Sequence, residues 1–207
     1  IKTSIADAKR RSDFVFFNLH THEGVRADWY ADQPADFVIE AAHAAIDAGA
    51  DLVIGHGAHF MRGAEHYHGK PIFYNLGSLL MEFEAGESII PPEMYAAYQL
   101  DAHAKPSDLH HHRAVDETGQ FVGFNAHPKF SQNIALDVTI NNNQVHVKVI
   151  PLDLGLNRDN PVQRGLPKIA APVVAKQIFE RLNQLSAYYD TQFRYVTQDD
   201  TFEFVIE

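Results

Sequence analysis

Cysteine is absent from the 207 residues. That excludes a disulfide framework, a thiolate metal site and a cysteine nucleophile, and leaves the redox compartment open. Long apolar runs are missing as well. The longest stretches, Asp51 to Gly55 and Ile72 to Met81, the latter broken by Asn75 and Gly77, fall short of a bilayer span. Positive charge is scarce: the net charge is -10, a field that repels a phosphate backbone, so nucleic acid is not expected as a partner. There is also neither an internal repeat nor a low-complexity segment.

What the chain has in plenty is histidine, 13 residues against 3 methionines and 1 tryptophan. Hydrophobic content of 45% over this length suits one domain with a substantial core. Ile1 to Arg11 reads as a helix end. Asp13 to Leu19 (DFVFFNL) reads as a buried strand, the segment from Pro34 to Gly49 as a helix, and Asp51 to Ile54 as a second buried strand. Strand, helix and strand in this spacing form a βαβ unit with parallel strands, so the loops after both strands emerge at the same sheet edge. Pro71 to Tyr74 follows the turn at His68 and Gly69 as a third strand, with its own polar loop Asn75-Leu76-Gly77-Ser78 facing the first two.

Residues from about 85 to 132 are rich in Pro, His, Asp and Gly and too long for a plain connection, so an insertion is expected there, acting as a partly ordered cap over the site. Asn133 to Ile150 alternates apolar and polar residues across Asn141-Asn142-Asn143 as a β-hairpin. Ile169 to Tyr189 reads as a helix and Thr201 to Ile206 as a closing strand. The expected architecture is α/β with added antiparallel strands.

Chemistry concentrates on two strand-end loops. Gly55-His56-Gly57-Ala58-His59 places two imidazoles three residues apart after the second strand, and His20-Thr21-His22-Glu23-Gly24 places two more and a carboxylate after the first. Ligand sites favour this edge of a parallel sheet, and such N and O donors suit Zn, Mn or Fe. A lone loop histidine is more often a polar surface residue, but two clusters on one βαβ unit favour a metal site. Arg62 stands close enough behind to meet an anionic substrate, or else to make an ordinary salt bridge. The run His110-His111-His112 points its side chains apart and reads as incidental; His43 and His146 read as packed or surface residues, and His66, His68, His103 and His127 as loop residues without a partner.

The stretch AAIDAGADLVIGHGAHFMRGAEHYHGKPIFYNLGS resembles the signature of the bacterial capsule-synthesis CapA family, which is similar to the calcineurin-like metallophosphoesterases. FFNLHTHEG upstream, and VIPLDLG, RGLP and the final helix downstream, extend the resemblance over most of the chain. The resemblance implies that His20, His56 and His59 bind metal; by position, His20 or His22 is the candidate for proton transfer, Glu23 for supporting the metal ligands or facing substrate, and Arg62, Asn75 and Ser78 for facing substrate. It departs at Gly57 and Ala58, where the family has His-Pro, and at Ser78, where it has Asn. Related folds hold two divalent ions, Mn, Fe or Zn, with further ligands from an amino-terminal half; no match to those appears, so the chain resembles the carboxyl-terminal portion of a longer protein. Three functions follow as alternatives: a metal-dependent hydrolase, an accessory protein binding an anionic small molecule or polymer such as poly-γ-glutamate at the bacterial cell envelope, or a degenerate fold with structural histidines.

Overall fold

The computed structural model describes residues 1–81, 90–101 and 103–205. Helix α1 (Lys2–Lys9) leads into β1 (Phe16–Thr21), α2 (Asp36–Asp47) and β2 (Leu52–Gly57), and then the hairpin β3 (Ala64–Tyr67) and β4 (Lys70–Phe73). These strands form one sheet in the order β1-β2-β4-β3. β1 and β2 run parallel with His20 opposite His56, and β4 runs parallel to β2. The βαβ unit and the shared loop edge are therefore as expected.

The reason α2 forms is visible in its buried positions, Val38, Ala42, Ala45 and Ile46, which recur at helical spacing and cover the sheet. Its end is set by Gly49, whose N–H donates to the Ile46 carbonyl at a φ of 110° that suits glycine. The sheet is buried on both faces. Val53 and Ile72 pack toward α1 and α2, while Leu52 and Phe73 join the core shared with the second sheet and α7 (Pro172–Ser186). Successive strand residues point to opposite faces, which is why the short apolar run around Leu52 serves both cores.

The second sheet is antiparallel, β5 (Gln132–Asn141), β6 (Gln144–Asp153), β8 (Phe193–Val196) and β9 (Thr201–Phe204) in the order β5-β6-β9-β8, with the short β7 (Lys168–Ile169) beside β6. Asn142 and Asn143 both have positive φ, the conformation of a two-residue hairpin turn that asparagine tolerates. Between the sheets in sequence lie four short helices, α3 (Pro92–Ala97), α4 (Pro106–Ala114), α5 (Gly123–Ala126) and α6 (Pro128–Ser131). They occupy the region read as an insertion; residues 85–89 of it and residue 102 lie outside the described residues, as does Ile206.

Several boundaries differ from the sequence reading. The first strand starts at Phe16 rather than Asp13, and it is an edge strand with Phe16 exposed, so aromatic content there does not mean burial on both sides. β3 was read as loop, yet His68 and Gly69, both at positive φ, close a tight hairpin that brings Glu65 opposite Ile72. His66 is consequently a strand residue. Its N–H donates to Thr191 Oγ1, and that of Ala64 to Ser186 Oγ, so hydroxyls after and within α7 satisfy the outer edge of β3. α7 begins at Pro172, the favoured first-turn position, and Ile169 instead pairs with Leu152. β8 was missed.

Candidate functional site

Pairing β1 with β2 in parallel puts His20 beside His56, and their Nδ1 atoms stand 2.8 Å apart. Two imidazole nitrogens this close share one proton, one ring donating and the other accepting. His22 continues the β1 loop, with its ring 5.0 Å from that of His20 and 6.0 Å from that of His59. The four expected imidazoles therefore gather at one sheet edge.

The loop after β2 is held in an uncommon shape. Gly57 has φ 117°, and a Cβ there would lie 2.7 Å from the Thr21 carbonyl oxygen and 3.2 Å from the His20 ring. The glycine in place of the family's histidine is thus required by the close approach of the two strand ends. His59, a non-glycine residue, sits at φ 67°. Such a conformation costs of order 1–2 kcal/mol and is retained where surrounding contacts impose it.

The loop after β4 is tied to both neighbours. Leu76 N–H donates to the Gly55 carbonyl, Arg62 N–H to the Asn75 carbonyl, and Ile134 N–H to the Leu76 carbonyl. Gly77 has φ 84°, and the Asn133 side chain fills the space a Cβ would need. Asn75 is buried, with Oδ1 accepting from Gly77 N–H at 3.0 Å and Nδ2 without a partner among the described residues. Ser78 Oγ lies 3.4 Å from His59 Nδ1.

Arg62 is placed otherwise than expected. Its side chain has no exposed surface, and the guanidinium donates to the carbonyls of Glu23 at 2.9 Å and His22 at 3.1 Å. Among the described residues it makes no salt bridge. Its role is to clamp the β1 loop onto the strand end that follows the β2 loop, and Gly24 is part of the clamp, since a Cβ there would crowd Arg62 at 3.2 Å. Glu23 is exposed at the surface of this loop, its carboxylate accepting from the His22 N–H at 2.9 Å.

Electrostatically the edge is short of counter-charge. Burial, then the neighbouring His20, holds His56 below the ordinary imidazole pKa, and burial with His22 and His20 does the same for His59. Both rings are neutral at neutral pH, with lone pairs available to an ion. Hydrogen bonds from the backbone of Glu23 and His22 hold the Glu23 carboxyl low, so it is ionised. Tested as a metal site, the donors fit in kind: neutral imidazole suits Zn, Mn or Fe. In placement, two nitrogens converge, and among the described residues no group of three His, Asp or Glu stands in ligand geometry.

Two surrounding rings were not singled out from sequence. Trp29 stacks on His22 at 5.7 Å, and Phe124 of α5 packs edge-on against His59 at 6.0 Å. The single tryptophan in the loop after His22 was a usable signal; Phe124 reaches the site only through the tertiary fold.

Residues 1–82 match the family described as bacterial capsule synthesis protein PGA_cap. These first 82 residues carry the likeness to the capsule-synthesis, CapA-type family. It is similar to the uncharacterized protein y4sH of Sinorhizobium fredii, 32% identical over 197 residues, which cover 93% of this chain and 41% of that protein. A Mycobacterium tuberculosis protein named as a probable polyglutamine synthesis accessory protein is 39% identical over 77 residues, 37% of this chain and 19% of its own length. The PGA biosynthesis protein CapA of Bacillus subtilis is 35% identical over 78 residues, 38% of this chain and 19% of its own. The chain thus spans well under half the length of these relatives. The family is metallophosphoesterase-like, and the α/β architecture agrees with it. No helix among the described residues is long and apolar enough to cross a membrane.

Proposed function

We propose that the chain supplies the histidine side of a divalent-metal centre in a phosphoesterase-like hydrolase of capsule or poly-γ-glutamate synthesis. The observation that carries this reading is the pair of Nδ1 atoms of His20 and His56, 2.8 Å apart at the carboxyl ends of two parallel strands, with no carboxylate bonded to either among the described residues. Nitrogens on one tetrahedral ion stand roughly 3.3 Å apart for bonds of about 2.0–2.1 Å, so a small rotation of either ring would suffice. His20, His56 and His59 would hold the metal, of which the family resemblance implies two ions. Bound there, it would lower the pKa of a water and stabilise charge on a phosphoryl or acyl oxygen.

The chain's own residues would do the rest. His22, half-buried and stacked on Trp29, is held in one orientation where its imidazole can take or give a proton. Glu23 stands ionised beside it, its carboxylate accepting from the His22 N–H. The buried amide of Asn75 has Nδ2 unpartnered, a donor that stabilises a neighbouring oxygen without adding charge. Ser78 stands at the rim beside His59, its Oγ 3.4 Å from Nδ1. Cell-envelope association, implied by the capsule function, belongs to the same proposal.

Elemental analysis of tag-free protein after mild chelation and reloading tests it, comparing wild type with a His56→Ala/His59→Ala variant. Near-stoichiometric Mn, Fe or Zn in wild type and its loss in the variant is the expected result, followed by hydrolysis of a chromogenic phosphodiester. Equal, negligible metal in both would end the reading. A binding-only accessory role is the second reading, and Gly57 favours it, because the family's histidine is lost at that position. It predicts binding of an anionic polymer without turnover.

A further inference from the structure

Beside the histidine cluster lies a cavity of about 430 Å³ whose walls are Tyr30, Phe124 and Phe130 and whose polar lining is Arg113, His127 and Lys129. It adjoins the cluster through Phe124, which faces this cavity and also packs on His59, and through Tyr30, the neighbour of Trp29. Its cations stand out in a chain of net charge -10.

Lys129 is the central group. Its ammonium lies 4.4 Å from the centroid of Phe60, 5.3 Å from that of Phe130 and 5.5 Å from that of Tyr30, and donates to the Tyr30 carbonyl at 3.1 Å. Among the described residues it has no carboxylate within ion-pair distance. An ammonium ringed by aromatic faces keeps cation–π attraction but little hydration, so an arriving anion has less water to displace. His127 Nδ1 accepts from the Lys129 backbone N–H at 3.2 Å, which puts the proton of the neutral ring on Nε2 and leaves that atom as a donor.

A second cavity, about 350 Å³ between β3 and the β5–β6 hairpin, also gathers charges, including Lys148 and Glu203. Those are already paired, Lys148 with Asp199 at 2.8 Å and Glu203 with Arg194 at 2.7 Å. Lys129 in the first cavity has no such ion pair among the described residues.

We propose that Lys129 and the Nε2–H of His127 form an oxyanion subsite, taking a carboxylate or phosphate of a ligand that lies across the aromatic walls toward the histidine cluster. This deepens the hydrolase reading by placing the substrate's anionic group, and rests on it only for what occupies the adjoining site. Burial holds the Lys129 pKa below its ordinary value, in keeping with an ammonium that would gain from an anionic partner. The carboxylate-bearing and phosphate-bearing ligands share this recognition chemistry.

The test is calorimetric titration of chelator-treated protein with glutarate and, separately, with inorganic phosphate; the emission of Trp29, the single tryptophan, serves as a second readout. Saturable binding of at least one anion is expected, and the tighter of the two identifies the source. Lys129→Gln should weaken it by about tenfold to a hundredfold, Lys129→Arg should restore most of it, and neutral glutaramide should not bind. Because the titrated protein is chelator-treated, binding that responds to Lys129→Gln does not depend on the metal centre, so a failed metal site leaves this result intact. Absence of binding by wild type, or equal binding by wild type and Lys129→Gln, overturns the subsite. Binding that appears only with added metal and ignores Lys129→Gln overturns it too, while supporting the metal centre.

Discussion

At the amino end of β2, Asp51 is buried and its carboxylate accepts from Lys9 at 2.9 Å, Lys70 at 2.7 Å and the Val15 N–H at 3.0 Å. At the carboxyl end of the same strand, His56 faces His20, with His22 and His59 nearby and no carboxylate bonded to either member of the pair. One end is a closed set in which each charge has its partner. The other is a group of imidazoles at the rim of the sheet, next to backbone held at positive φ. Local satisfaction of this kind marks structure, and its lack is what marks the other end as the candidate site. Arg62 sharpens the contrast, since it lies under the open end yet is itself nearly satisfied, donating to the His22 and Glu23 carbonyls.

The largest expected effect removes that clamp. Arg62→Ala leaves buried carbonyls without donors and a cavity behind, and should lower unfolding free energy by about 3–5 kcal/mol in urea titration. Arg62→Lys should recover little, because one ammonium cannot span both carbonyls in the planar fork. A loss under about 1 kcal/mol would show that the loop is held by other contacts.

Next comes the closed end. Asp51→Asn should cost about 1.5–3 kcal/mol at neutral pH through two charge-assisted hydrogen bonds. Burial pushes the Asp51 carboxyl up, but Lys70, Lys9 and the Val15 N–H together pull it further down, so its folded pKa is depressed. Its stabilisation is then complete above the unfolded value of about 3.9 and disappears as pH falls through the folded one. Urea titrations across the acid range should show wild type's advantage over Asp51→Asn shrinking below about pH 4. A difference that stays constant there would remove the ion cluster as its source.

These two ends were not equally legible. The open one could be read from sequence, because GHGAH and LHTHEG each follow a short apolar run and a parallel βαβ unit must bring such loops together. The helix from Pro34 and the hairpin around Asn142 were legible for the same reason, namely local periodicity and turn chemistry. Arg62 was misread because sequence nearness to a site does not fix a side chain's direction; backbone carbonyls 39 and 40 residues earlier in the chain claim it. β3 was hidden because its inward residue is only alanine and its outer edge is satisfied by Ser186 and Thr191, far along the chain. The cavity around Lys129 draws on residues from 30 to 130, a juxtaposition with no local pattern.

A smaller effect, of opposite sign, comes from the open end. His59 is at φ 67°, so His59→Gly relieves left-handed strain worth about 1–2 kcal/mol against a glycine entropy cost of about 0.5–1 kcal/mol. Unfolding free energy should rise by up to about 1 kcal/mol, while metal retention falls. Destabilisation would mean that the His59 ring itself supports the loop.

The smallest expected change is at Ser78. Its 3.4 Å contact to His59 Nδ1 is long for a hydrogen bond involving a hydroxyl. Ser78→Ala should therefore alter stability by less than about 0.5 kcal/mol. The loop it belongs to is held by Leu76 to Gly55 and Ile134 to Leu76, both through backbone groups that the substitution leaves in place. If the hydroxyl nevertheless orients His59 toward an ion, Ser78→Ala should weaken metal retention measurably at unchanged stability. That separation of binding from folding is what an open end requires and a closed one forbids, because in the Asp51 cluster the interacting groups are the fold's own supports. A parallel loss of both in Ser78→Ala would place this rim residue with Asp51 rather than with the histidines.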